Sequence, residues 1–360
     1  MTIPSSDRSP TRFDPAALRH AVDLVRARGA TAQLVVRRHG VTVVDRSFGC
    51  EPTALFWTFS AGKPYTVVLI HALAESGVID LDAPVARYWP EFAANGKEAI
   101  TVRHVLRHRS GFATAGSAVG DALAMTGWSR TLRRIERARP TWPPGSAPAY
   151  QFVIFGFILG EVARRATGIP LPELMSSLLL GPLGVHDTYL GLPDDQWLRH
   201  VPLSAPRPVR AVVNRRATRA AIIPSAGFST TARDVTVFYE MLLNGGVTAD
   251  GRRILSSAAL QAALVPSSEG RIDRFAHSPI RWSEGFQLGG PRHLPESISP
   301  MGSRSSPRTF GHNGSNCCIA WADPDRDLVF SYLTNRITRQ RDDLAHLAEV
   351  ADAVLDACPE

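Results

Sequence analysis

The segment Phe59–Ser76 has helical length and no polar face. Val67, Val68, Leu69, Ile70, Ala72, Leu73 and Ala74 cover nearly every side of it, and Gly77 ends it. A helix that is apolar all round is buried inside a protein of sizeable core. The chain of 360 residues, 44% hydrophobic and 20% charged, can supply that core as one large domain or two intimate lobes. The apolar run Val67–Ala74 contains His71 and is too short to span a bilayer, so no integral membrane association is expected.

The flanking sequence says what covers this helix. Asp14-Pro15 offers a cap and a first-turn proline for a helix over Ala16–Arg28, which stops at Gly29. Ala32–Arg38 and Val41–Phe48 are β-like runs split by His39-Gly40, a hairpin spacing. From Leu81 to Arg199, helical pieces alternate with Pro and Gly breaks. Val201–Ile223 is rich in Pro and Arg and reads as irregular. A helix is expected over Ser229–Asn244, with Thr231 or Asp234 near its start. Pro266–Pro307 reads as loop with a short strand at Gly285–Leu288. The end returns to β at Cys317–Ala322 and Leu328–Thr334, and a last helix runs from about Asp342 to Ala357. Strands at both ends with helices between predict an α+β fold. Its antiparallel sheet is built from both chain termini, flanked by helices, with an inserted all-helical lobe. The expected domain covers 13–355. Within it 13–80 and about 225–357 form the α/β lobe, about 81–224 the mostly helical lobe, and 1–12 is a tail.

Three constellations could carry chemistry. Ser60 and Lys63 are three residues apart on one helical face. A lysine drawn into an apolar helix face is costly unless neutral or partnered. A desolvated lysine beside a serine can take the serine proton. Equally, the pair can be a helix-entry serine followed by a snorkelling lysine. Tyr150 precedes the apolar helix Phe155–Ala163. It reads either as core with its hydroxyl at the rim or as a phenol acting as acid and base. Phe310-Gly311-His312-Asn313-Gly314-Ser315 reads as a turn before a strand. It can also bring a backbone N–H near Ser315 beside that of Ser60, as an oxyanion hole.

Taken together, Ser60-Ala61-Gly62-Lys63, Tyr150-Gln151-Phe152 and His312-Asn313-Gly314 resemble the serine β-lactamase and penicillin-recognising superfamily. The texture is most similar to class C β-lactamases, family VIII carboxylesterases and related acyltransferases. Thr101–Leu106 with Ser110-Gly111, Pro182-Leu183-Gly184 and Ser225–Asp234 extend the resemblance over nearly the whole chain. It implies that Ser60 is the acylated nucleophile and that Lys63 and Tyr150 share the base and acid roles, in an order left open. It also implies that His312 positions Tyr150 or substrate, and that the N–H groups of Ser60 and Ser315 hold the oxyanion. Two departures bear on substrate. Phe152 replaces the family's asparagine, and His312 replaces a lysine that would meet a substrate carboxylate. Both weaken a β-lactamase or D-amino-acid peptidase reading and favour a neutral ester. The expected activity is that of a carboxylesterase on a small-molecule ester. An acyltransferase of the same fold and a catalytically silent binding protein are the alternatives.

Other classes find little support. Of the 40 basic residues only Lys63 and Lys97 are lysines, and the net charge is +7. The clusters Arg130–Arg137 and Arg207–Arg219 have no interleaved aromatics, so no nucleic-acid partner is expected. Cys50, Cys317, Cys318 and Cys358 show no C-x-x-C, and no H-E-x-x-H, Walker loop or G-x-S-x-G occurs. No metal or cofactor is expected. Met1–His20 has no apolar stretch of the secretory kind, so reduced thiols in a cytoplasmic protein are expected.

Overall fold

The structure is a computed structural model describing residues 13–290 and 297–359. The expected tail, 1–12, lies outside the described residues. Nine strands are present among them: β1 (Ala32–Arg38), β2 (Val41–Phe48), β3 (Phe56–Trp57), β4 (Tyr189–Leu190), β5 (Phe228–Thr230), β6 (Gln287–Leu288), β7 (Phe310–Gly314), β8 (Cys318–Asp323) and β9 (Leu328–Thr334). The main sheet is antiparallel in the order β2-β1-β9-β8-β7-β6. It joins the two ends of the chain, as the fold class predicted.

Alternation along β1 explains the layers. Leu34 and Val36 face one side and pack with Trp321 and Phe330 under the helices Pro15–Ala27 and Gln340–Ala357. Val35 faces the other side and joins the larger core around the helix Lys63–Glu75. Leu18, Ala21 and Val25 are the buried stripe of the N-terminal helix, and Asp14 caps it by accepting from the Ala16 N–H at 2.7 Å.

Three expectations need correction. The helix expected from Ser229 begins later, at Ala232, because Phe228–Thr230 pairs with β3 and β4 in a second, three-stranded sheet. Thr231 is its cap, accepting from the Asp234 N–H at 3.2 Å. Val201–Ile223 holds two short helices, Arg207–Val213 and Arg216–Ala220. They are secured by side chains within the segment: Asn214 bonds both backbone groups of Leu203, and the buried Arg219 guanidinium donates to Val213 O and Val201 O. Phe310–Gly314 is strand rather than turn. The expected helical span also carries one short strand, β4.

Candidate active site

The buried helix sits at the centre of the site. Phe59–Gly62 is a 3₁₀ turn and the α-helix proper starts at Lys63, whose neighbour Pro64 suits the first helical turn. Phe59 has φ +49, a left-handed conformation costly for a bulky residue, and Ser60 directly after it is 7% exposed. The end of β7 lies directly on this turn. A Cβ at Gly314 would stand 2.0 Å from Thr58 O and 3.0 Å from the Ala61 nitrogen, so only glycine permits the approach. Ser315 and Asn316 follow with φ +48 and +55, and the Cys317 N–H closes the turn on Gly314 O at 3.0 Å. The β7–β8 turn carrying Ser315 is thus held against the turn carrying Ser60.

Lys63 is fully buried, and its Nζ has four oxygen neighbours. They are Ser60 Oγ at 3.0 Å, Tyr150 OH at 2.7 Å, Phe152 O at 3.0 Å and Ser225 O at 3.1 Å. No carboxylate is among them. Burial therefore pushes the Lys63 pKa well below that of an ordinary lysine. A neutral amine has two N–H bonds and one lone pair. The two carbonyls can only accept, and the Tyr150 oxygen, whose own proton goes to Ser60, also accepts from Nζ, so the N–H bonds are shared among these three and the lone pair is left to the Ser60 hydroxyl. The Tyr150 hydroxyl in turn donates to Ser60 Oγ at 2.5 Å. Burial raises the Tyr150 pKa, the Ser60 contact opposes the rise, and the Asp273 charge adds to it. Burial thus favours the neutral form of both groups, the protonated phenol and the unprotonated amine.

The acceptors around Lys63 are themselves braced. Ser225 Oγ donates to Val153 O at 2.5 Å and accepts from the Gly156 N–H at 2.6 Å, at the start of the helix Ile154–Thr167. A Cβ on Gly156 would stand 2.5 Å from the Pro224 carbonyl carbon, so this helix can approach the Ser225 segment only at a glycine. Tyr150 is held by Asp273. Its backbone N–H donates to Asp273 Oδ1 at 3.0 Å, while Trp282 Nε1–H donates to Oδ2 at 3.0 Å.

Two histidines back the phenol. His312 Nδ1–H donates to Asn313 O at 2.7 Å, which leaves Nε2 as a lone-pair acceptor with no protein partner. Burial is the largest cause that lowers its pKa from 6.5 to about 3, so it is a neutral imidazole. His108 has the opposite tautomer: Nδ1 accepts the Gln151 N–H at 3.2 Å. Burial pushes its pKa well below the usual histidine range too.

Of the residues singled out in the sequence, Ser60, Lys63 and Tyr150 meet in one triangle of hydrogen bonds. Gly314 packs on the turn that carries Ser60, Ser315 follows it in the chain, and His312 stands 6.0 Å from the Tyr150 ring, centroid to centroid. Phe152 contributes its carbonyl to Lys63 and stacks its ring on Phe275, centroids 6.2 Å apart. Sequence reasoning gave no role to Ser225, Asp273, Trp282 or His108. Ser225 stood in a segment that carried the family resemblance, and that was its only signal. Among the described residues no cluster of His, Cys, Asp or Glu could hold a metal ion, and no helix is long and apolar enough to cross a membrane.

Comparison with known proteins bears on the family and the fold. The β-lactamase family model matches residues 18–355. The chain is 30% identical over 311 residues to the esterase/β-lactamase LipL of Mycobacterium tuberculosis, covering 78% of this chain and 68% of LipL. A family VIII carboxylesterase structure superposes with a TM-score of 0.79 at 27% identity, covering 94% of this chain and 98% of that one. A penicillin-binding protein homologue from Caulobacter crescentus superposes at 0.81 and 28%, covering 96% and 98%.

Proposed function

Because the chain belongs to the β-lactamase family, we propose that it is a serine hydrolase that cleaves carboxylic esters through an acyl-enzyme on Ser60. The observation that carries this reading is the environment of Lys63: a fully buried amine whose N–H bonds are held by two carbonyls and the Tyr150 oxygen, with the Ser60 hydroxyl at its lone pair. In the proposed cycle the neutral Lys63 takes the Ser60 proton as Ser60 Oγ attacks the ester carbonyl. The N–H groups of Ser60 and Ser315 receive the oxyanion. Tyr150 passes its proton to the leaving alkoxide and is reprotonated from Lys63. Water then repeats the sequence on the acyl-enzyme. The neutral His312 supports an ester without charge beside the scissile bond, since an uncharged imidazole is a weak anchor for a carboxylate. A cytoplasmic setting belongs to the same proposal and is supported by the buried thiols of Cys317, Cys318 and Cys358.

The test is a panel of p-nitrophenyl esters of rising chain length, assayed with the wild type, Ser60→Ala and Lys63→Ala. The reading expects turnover in the wild type and near-complete loss in both variants, because groups acting as a unit are non-additive. Normal turnover by Ser60→Ala would overturn it.

A further inference from the structure

A second feature adjoins the Ser60 triangle without belonging to it. Phe275 touches the site, with its ring centroid 6.1 Å from that of Tyr150 and its face stacked on Phe152. The same ring lines a neighbouring cleft of about 640 Å³, whose lining includes neither Ser60 nor Tyr150. Phe112, Ala115 and Trp142 line it too, with the Arg274 guanidinium over the Trp142 ring at 4.9 Å from its centroid. Arg134, Arg137 and Arg139 line it as well, and no carboxylate does. Arg134 is neutralised by Asp121 at 3.1 Å. Arg137 and Arg139 form no ion pair with any described residue. The Trp142 indole N–H is buried and has no hydrogen-bond partner among the described residues.

This combination is selective. An apolar wall bordering the reacting site favours a hydrocarbon chain. Two unpaired guanidiniums farther along favour an anion at the chain's distal end, because a guanidinium meets a carboxylate or phosphate in a bidentate fork. The neutral His312 offers no such anchor beside the scissile bond, so charge recognition moves to the far end. The net charge of +7 also favours approach of anionic substrates.

We propose that the preferred substrates are amphipathic anionic esters, with an apolar spacer along Phe275 and Trp142 and a terminal carboxylate held by Arg137 and Arg139. This rests on the esterase reading above for its chemistry, and its test separates the two. Binding is measured by calorimetry on Ser60→Ala, which keeps the cleft and removes the proposed nucleophile. Monomethyl suberate carries charge on the acyl side and is compared with dimethyl suberate. 6-Acetoxyhexanoate carries it on the alcohol side and is compared with its methyl ester. The expected result is that at least one anionic ester binds about tenfold or more tightly than its neutral partner, the worth of one charge-assisted contact. That preference should collapse when Arg137→Gln and Arg139→Gln are added. The pair that shows the preference identifies the side of the ester in the cleft. Equal binding in both pairs, or a preference that survives the arginine substitutions, overturns the proposal. Absence of wild-type turnover on every ester would instead overturn the esterase reading and leave the binding result standing.

Discussion

The phenol of Tyr150 lies flat on the indole of Trp282, with centroids 5.3 Å apart and planes 1° from parallel. Asp273 fixes both partners, and its Oδ1 also accepts the backbone N–H groups of Phe275 and Ala276, each at 2.9 Å. One carboxylate therefore sets the position of the phenol, the stack behind it and the Phe275 ring beside it. In Asp273→Asn the amide NH₂ would face a donor, so at least one hydrogen bond is lost. We expect a stability loss of about 1–3 kcal/mol. We also expect a fall in kcat larger than the change in KM, because the phenol loses its backing. Thermal melts with steady-state kinetics decide it; a variant with lowered stability and unaltered kcat would reduce Asp273 to a structural role.

Removing the phenol oxygen tests the proton route. Tyr150→Phe keeps the ring, its stack on Trp282 and the packing volume. Loss of the hydroxyl costs about 1 kcal/mol of stability. If the proton passes through Tyr150, kcat falls roughly 10²–10⁴-fold. An unchanged kcat in a stable variant would leave Lys63 as sole acid and base.

The pH dependence follows from signs. Lys63 acts when neutral, and burial lowers its pKa, so activity is present above that lowered value and is lost as pH falls through it. His312 titrates at about 3 and does not set this limb. The acid limb of kcat/KM should therefore stay at the same pH in His312→Gln, whatever the loss in rate. Stability behaves differently. Between the unfolded value of 6.5 and the folded value of about 3, the unfolded chain binds the extra proton at His312, so stability falls as pH drops through this window. From His312 alone the loss is about 2 kcal/mol by about pH 5. Buried His108 acts in the same direction. Melts at pH 7 and pH 5 should show a smaller difference in His312→Gln than in the wild type. Equal differences would mean that the imidazole is accessible to protons in the folded state.

Phe152 and His312 also predict poor handling of β-lactams. The Phe152 side chain is a ring stacked on Phe275, not an amide, and His312 carries no charge for a β-lactam carboxylate. Two missing polar contacts at about tenfold each place nitrocefin roughly a hundredfold or more below a short p-nitrophenyl ester in kcat/KM. Comparable values would show that other groups serve the lactam.

What the sequence made legible is local. The apolar helix, the spacing of Ser60 and Lys63, the β1–β2 hairpin and the strand Leu328–Thr334 follow from periodicity and turn chemistry within a few residues. The late start of the helix at Ala232 was hidden because β5 owes its existence to β3, far away in the chain. Ser225 and Phe152 act on Lys63 through backbone carbonyls, which leave no side-chain signature. Asp273 meets Tyr150 across 123 positions of sequence, and nothing near either residue signals the pairing. The neutrality of His312 depends on complete burial, which residue type cannot convey.

The central claim is that Ser60 becomes acylated. Intact-mass spectrometry after a brief incubation with a fluorophosphonate, followed by peptide mapping, tests it most directly. The account predicts one adduct per chain on the peptide carrying Ser60, no adduct in Ser60→Ala, and strongly slowed labelling in Lys63→Ala. An adduct on another residue, or an unmodified mass in a folded wild type that turns over esters, would contradict it.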